Sequence, residues 1–236
     1  MTPSEMEDAG WRILISGPLP AMEQMACDER LALEAKPAVR LFTWHPPAIS
    51  LGWKQPRPSW LDAPAWRAEG LACVERPTGG GVAFHGSDLS IAVVVPRRLG
   101  LRLDALMRSV CESAAALCER YGVAAVPFLD AAGSGRIAYC LTEVSPYAVC
   151  IDGRKTAGFS LRRYPESWLV QGSALIQPIP PALVRAIPPD IATRLAARAR
   201  SLSDAAQQPI SARDAAERWA DIWLSNYAAL NFAERN

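Results

Sequence analysis

The sequence predicts a single α+β domain, and three observations carry that reading. Short β-branched and aromatic runs recur through the first two thirds of the chain, strongly periodic helical segments lie among and after them, and no internal repeat or low-complexity linker divides the whole. With 236 residues, half of them hydrophobic, the chain is long enough to bury a proper core as one unit over residues 1–236.

The first helix is expected over Met22 to Ala35, after a Gly17-Pro-Leu-Pro20 turn. Val39 to Trp44 and Ala48 to Trp53 read as two strands joined by a turn at His45-Pro46-Pro47. A short helix over Trp60 to Glu69 and a strand over Leu71 to Arg76 follow. Ser90 to Pro96 is apolar on both faces, as a strand in the middle of a sheet would be.

The clearest helix runs from Leu103 to Tyr121, with Leu103, Leu106, Val110, Leu117 and Tyr121 on one stripe and Gly122 as a left-handed cap. Strands are expected at Ile137 to Leu141, at Tyr147 to Ile151 turning through Asp152-Gly153 into Thr156 to Arg162, and at Trp168 to Ile176. The Pro-rich stretch Gln177 to Pro189 interrupts the chain. Ser211 and Asp214 then resemble a capping box that opens a helix through Trp219, Ile222, Trp223 and Leu230.

Charge does not announce a partner. Lys and Arg number 25 against 24 Asp and Glu, which argues against a protein that grips nucleic acid by bulk charge. No stretch is apolar enough to span a bilayer, and the acidic start Met1 to Asp8 is unlike a signal peptide, so a cytoplasmic protein with no membrane partner is expected. The six cysteines are scattered and the two histidines, His45 and His85, are too few to complete a zinc set, so no metal site is expected. In a reducing compartment such cysteines are free thiols.

Two segments could carry chemistry. Arg76-Pro-Thr78-Gly79-Gly80-Gly81, continuing to His85, puts three glycines between two strands; they serve either a tight hairpin or a backbone that closely approaches a ligand, with Arg76 adding fixed charge. It is neither a Walker loop nor a Rossmann fingerprint. Asp152-Gly-Arg-Lys155-Thr-Ala-Gly158 places a lysine at the start of a strand, fifteen residues after Cys140. A lysine on a hairpin is ordinarily a solvated charge, and a buried cysteine ordinarily a small hydrophobe. Brought side by side, they become a nucleophile whose anion the ammonium favours, with a cation poised over a developing oxyanion.

Together these segments resemble the catalytic domain shared by lipoate–protein ligases, octanoyltransferases and biotin–protein ligases. The resemblance runs from about Trp11 to Ile176, with a helical part over about 180–236 beyond it. It rests on Gly17-Pro-x-x-Ala-Met-Glu-Gln-Met-Ala-Cys-Asp-Glu29, on Phe42-x-Trp-x-Pro-Pro-Ala-Ile-Ser-Leu-Gly-Trp-Lys-Gln55, on the Arg76 to His85 segment followed by Asp88-Leu-Ser, and on Asp152 to Gly158 followed by Gln171-Gly-Ser173. Cys140, Ser145, Tyr147 and Lys155 keep the register of the cysteine-dependent octanoyltransferases of Gram-positive bacteria. Gly81, Phe159 and Leu161 depart from that pattern, where arginine, a small residue and an amide are usual.

The resemblance implies a mixed sheet flanked by helices, in the class II synthetase-like fold of biotin and lipoate ligases. It implies octanoyl (or lipoyl) transfer to a lysine of a lipoyl domain or glycine-cleavage H-type protein, with octanoyl-acyl carrier protein as donor, through a Cys140 thioester assisted by Lys155. Gly79, Gly80 and Gly81 would then let backbone approach the acyl head, Arg76 and His85 would position it, and Thr78 and Gly158 would complete the binding segments. That reaction needs no cofactor. Two alternatives stay open: an ATP- and Mg-dependent lipoate–protein ligase in which Cys140 is a bystander, and an inactive paralogue that binds lipoylated proteins.

Overall fold

The computed structural model describes residues 10–129 and 137–226. Two sheets organise them. The larger has seven strands: β1 (Arg12–Leu19), β2 (Ala38–Trp44), β6 (Asp88–Pro96), β7 (Val126–Phe128), β8 (Ala148–Ile151), β9 (Arg154–Arg163) and β10 (Ser167–Leu175), in the spatial order β1-β2-β6-β10-β9-β8-β7. Only β1 and β2 run parallel, so the sheet is mixed. The smaller sheet sets β3 (Ala48–Leu51) between β4 (Ala72–Glu75), parallel to it, and β5 (Ala83–His85), antiparallel.

The nine residues of β6 are all buried, as its two-sided apolar sequence predicts. Side chains on a strand alternate between faces, and the two faces have different fates. Val39 and Leu41 on β2 and Leu89, Ile91, Val93 and Val95 on β6 join one core with the helices α3 (Leu103–Glu119) and α7 (Ala212–Asn226). Ala38, Phe42 and Trp44 with Ala92 and Val94 face the other way, against α1 (Ala21–Glu34). Gly122, at φ +73°, follows α3 as expected. Ser211 Oγ accepts from the Asp214 N–H at 3.0 Å, and Trp219, Ile222 and Trp223 are buried along α7. Leu230, to which this helix is expected to run, lies outside the described residues.

Several expectations need correction. Ile137 to Leu141 is no strand: it makes one bridge, Val82 to Tyr139, and then turns, with Thr142 Oγ1 donating to the Tyr139 carbonyl at 3.1 Å. The two strands flanking His45-Pro46 do not pair with each other but enter different sheets, and the His45–Pro46 peptide is cis. The expected helix over 60–69 is a 3-10 turn (Ser59–Asp62) followed by α2 (Pro64–Ala68), because Ala63 is extended before Pro64.

Prolines hid other elements. β1 contains Gly17-Pro18 and β7 contains Pro127; both are edge strands, where a missing N–H costs no ladder bond. In the Pro-rich stretch, Pro181 and Pro189 stand at the first position of α4 (Pro181–Ala186) and α5 (Pro189–Arg198), so residues read as punctuation start helices. A short α6 (Leu202–Ala206) precedes α7. No helix of the described residues is long and apolar enough to cross a membrane.

Candidate active site

A cleft of some 750 Å³, its open mouth included, lies where the smaller sheet meets the face of the larger one. Cys140 is set at its wall by two backbone hydrogen bonds that zip the 138–140 segment to Val82: Val82 N to the Ala138 carbonyl and Cys140 N to the Val82 carbonyl, both 2.8 Å. Lys155, next to the turn that opens β9, is 2 % exposed. A buried ammonium requires partners, and it donates to Ser145 Oγ at 2.8 Å and to the Glu143 carbonyl at 3.2 Å. Among the described residues it makes no third hydrogen bond, and Lys155 is one of the residues that line the cleft.

Gly158 explains how the two meet. A Cβ on Gly158 would lie 3.1 Å from Lys155 Nζ and 3.2 Å from Cys140 Sγ, so both atoms border the space its absent side chain leaves open. They are therefore separated by no more than the sum of those distances. Cys140, Lys155 and Gly158, joined in the sequence only by motif, are one cluster.

Arg76 governs the glycine loop. Its guanidinium donates through Nη1 to the Ser50 carbonyl and Oγ, both at 3.1 Å, and through Nη2 to the carbonyls of Gly79 and Gly81, at 2.7 and 2.8 Å. Burial brings its pKa down to about 10, against the charge of Cys140, which favours the cation. Arg76 is thus a fork that shapes the loop and a second cation within reach of the thiol. Of the three glycines, Gly80 is at φ +96° and Gly81 lies against the incoming Cys140 segment, where a Cβ would meet the Ile137 and Ala138 carbonyl oxygens at 2.6 and 2.7 Å. Arginine cannot replace Gly81 in this arrangement, which accounts for that departure from the family pattern. Phe159 is accommodated in a similar way: its ring covers Gly172 on the neighbouring strand, where a Cβ would come within 2.1 Å of it.

His85 is buried in a polar chain. Nδ1 lies 2.8 Å from Asp88 Oδ2, Nε2 lies 2.8 Å from Ser50 Oγ, and the ring stacks on Trp44 at 3.9 Å between centroids. Ser90 Oγ and the Gly86 N–H also donate to Asp88. Burial opposes ionisation of Asp88, but its partners, His85 foremost, hold the carboxyl below its ordinary value. Thr78 and Gly79 do not face the cleft. Thr78 is fully buried behind the loop, donating to Gln171 Oε1 at 2.9 Å and accepting from Ser160 Oγ at 3.0 Å.

Sequence reasoning places Gln171, Gln24 and Asp28 within motifs but gives them no role. Gln171 Nε2 donates to Asp28 Oδ2 at 2.7 Å, and Asp28 pairs with Arg40 at 2.7 Å. Arg40 Nη2 also donates to Gln24 Oε1. The available signal is on α1: Gln24 and Asp28 occupy positions one turn apart on its buried face, where an amphipathic helix carries apolar residues.

The apolar part of the cleft is lined by Met25, Phe42, Trp44, Ile91 and Phe159. All six cysteines are free thiols, and four are poor candidates as nucleophiles. Burial pushes Cys111 and Cys118 up to about 12 and raises Cys73 and Cys150. Among the described residues, no group of three or more His, Cys, Asp or Glu side chains could hold a metal ion.

Comparison with known proteins identifies the family. The lipoyl protein ligase A/B catalytic domain family matches residues 20–223. The octanoyltransferase LipM of Symbiobacterium thermophilum is 32% identical over 232 residues, covering 88% of this chain and 84% of the relative. That of Kyrpidia tusciae is 31% identical, covering 89% and 85%. Among solved structures, lipoate-protein ligase A bound with ATP superposes with a TM-score of 0.68 at 16% identity, covering 90% of this chain and 83% of that one. The bi-partite lipoate protein ligase of Thermoplasma acidophilum, from an archaeal lipoylation system with its E2 lipoyl domain, gives 0.67 at 18% identity, covering 90% and 81%. At such identities the two structures speak for the fold alone, while the family match spans most of the sequence, and the chain belongs to the lipoyl protein ligase A/B catalytic domain family.

Proposed function

We propose that this protein is a cytoplasmic octanoyltransferase of protein lipoylation, working through a thioester on Cys140. The observation that carries the proposal is the shared space at Gly158, bordered by Cys140 Sγ and Lys155 Nζ. The octanoyl chain of octanoyl-acyl carrier protein lies along Met25, Phe42, Trp44, Ile91 and Phe159, where burial contributes about 5 kcal/mol at ~0.8 kcal/mol per methylene.

The Cys140 thiolate attacks the thioester carbonyl. The free N–H of Lys155 faces the oxyanion, and the carrier leaves as a thiol after taking up the proton that Cys140 gave up. The ε-amine of a lysine on a lipoyl domain or glycine-cleavage H-type protein then attacks the octanoyl-enzyme. An amide forms, the amine loses a proton, and Cys140 is released. Carrier thioester plus amine gives carrier thiol plus amide, which balances without ATP or metal. Ser145 and the Glu143 carbonyl keep Nζ in place through both steps, and Arg76 keeps the glycine loop closed around the acyl head.

The test is mass spectrometry of the purified protein after incubation with octanoyl-acyl carrier protein in the absence of ATP. A hydroxylamine-sensitive octanoyl adduct is expected in the wild type and not in Cys140→Ala. No adduct, together with acceptor modification that strictly requires ATP, would overturn the proposal in favour of a ligase.

A further inference from the structure

The turn Gly52-Trp53-Lys54-Gln55 packs against Gly80, one of the residues that line the cleft: a Cβ on Gly52 would come within 2.0 Å of the Gly80 carbonyl oxygen. It is closed by Gln55 N to the Gly52 carbonyl and Gly52 N to Gln55 Oε1, both 2.9 Å. Trp53 N donates to the Thr78 carbonyl at 2.8 Å, which fastens the turn to the glycine loop, and Gln55 Nε2 reaches the Ala138 carbonyl at 3.3 Å, on the segment leading to Cys140. Lys54 is held at φ +55°, a left-handed conformation that a non-glycine residue keeps only where its surroundings impose it.

This backbone displays an indole with a cation on it from each of two segments. Trp53 is 45% exposed, Lys54 Nζ lies 4.3 Å from its ring centroid, and Arg162 Cζ lies 4.6 Å from it. Arg162 is also tied to the loop through the Pro77 carbonyl at 3.0 Å. Neither cation has a carboxylate partner among the described residues. Asp28 is buried against Arg40, Glu29 acts on Tyr164, the other ring that Arg162 approaches, and Glu75, opposite Leu51 in the smaller sheet, forms no ion pair with either cation.

We infer that Trp53, Lys54 and Arg162 form the docking platform for the acceptor protein, and that the face it presents around its target lysine is acidic. An exposed aromatic flanked by unpaired cations suits a partner that supplies carboxylates and one apolar contact. The occupant is the acceptor because a lysine side chain is short, so the backbone bearing it must come to the lip of the cleft. An acyl group carried on a long flexible arm imposes no such demand. The inference rests on the proposed acyl transfer to a protein lysine, but not on whether the acyl group arrives from a thioester or from an adenylate.

The test compares wild type with Lys54→Glu and Trp53→Ala in two steps. Self-acylation is measured by mass spectrometry with a small octanoyl thioester, and transfer is measured as KM and kcat for a lipoyl domain, with ATP and octanoate as donor if the wild type is not acylated by the thioester. Lys54→Glu is expected to raise the acceptor KM by about fivefold or more with little change in kcat, and to flatten the rise of KM with salt seen in the wild type. Trp53→Ala is expected to raise KM without changing the salt dependence, and loading of the enzyme is expected to proceed at the wild-type rate in both. An unchanged KM in both variants, or loading that falls in step with transfer, would overturn the inference. Absence of the adduct in the wild type speaks only to the thioester.

Discussion

Gly158 is chosen for the space its side chain would fill. It lies within β9 with no positive φ, so alanine is compatible with its backbone; the added methyl would meet Lys155 Cε at 2.9 Å, Nζ at 3.1 Å and Cys140 Sγ at 3.2 Å. Two of these atoms end flexible side chains, and the protein relieves the contact by moving them apart. Gly158→Ala is therefore expected to fold with a stability within about 1 kcal/mol of wild type. Its loading with octanoate, followed by rapid-quench mass spectrometry, is expected to slow by about 100-fold, the usual consequence of displacing reacting groups by an ångström. Wild-type loading in this variant would show that Lys155 need not stand beside Cys140. Cys140 and Lys155 were legible because a motif register marks them, whereas Gln171 and Asp28, 143 positions apart, meet only in the folded chain.

The glycine loop behaves as an element only because Arg76 binds both of its ends. Four acceptors, the Ser50 carbonyl and Oγ and the carbonyls of Gly79 and Gly81, converge on one planar fork. An ammonium has three donors and no fork, so Arg76→Lys leaves at least one buried acceptor without a donor. The expected cost is about 2–3 kcal/mol, read as a lower urea midpoint at an unchanged m-value, and acylation should slow because Gly81 buttresses the Cys140 segment. Retained stability would mean that the loop's other ties, from Trp53 N, Gln171, Ser160 and Arg162, hold it without the fork. Three glycines in a row marked this loop in the sequence, but they left hairpin and binding loop equally open. The hairpin is excluded by the sheet order, in which the flanking strands β4 and β5 lie on either side of β3, and glycine at position 81 is required by the close approach of the 137–138 backbone, a contact between distant segments. The same distance effect misled the reading of Ile137 to Leu141: its composition suits a strand, but only Val82 is available to pair with it, and the chain turns after one bridge.

At the scale of the whole molecule, the seven-stranded sheet has one greasy face and one that turns polar toward the smaller sheet. α+β class, the central strand and the two long helices follow from periodicity, and so were legible. The polar layer was not, because Arg40, Asp28, Gln24 and Gln171 look like surface residues until β2, α1 and β10 stack. This layer links the core to the site, from Arg40 through Asp28 and Gln171 to Thr78 of the glycine loop. Burial raises the Asp28 carboxyl from 3.8 to about 6, outweighing the Arg40 guanidinium and the hydrogen bond from Gln171. Between those two values the native protein holds a proton that the unfolded chain releases. Asp28 therefore costs stability above pH 6, and the cost is relieved as pH falls toward 4. Asp28→Asn removes this dependence; it leaves Arg40 buried without an anionic partner, a loss that is partly offset near pH 7 because a carboxylate no longer has to be buried in its ionised form. Because the wild type gains stability on acidification and the variant does not, the difference between them is expected to widen by about 1 kcal/mol from pH 7 to pH 5. Urea midpoints of the two proteins at both pH values measure that difference, with the other carboxylates cancelling in the comparison; a gap that stays constant or narrows would place the Asp28 carboxyl at or below its ordinary value and make the pair with Arg40 a net stabiliser at neutral pH.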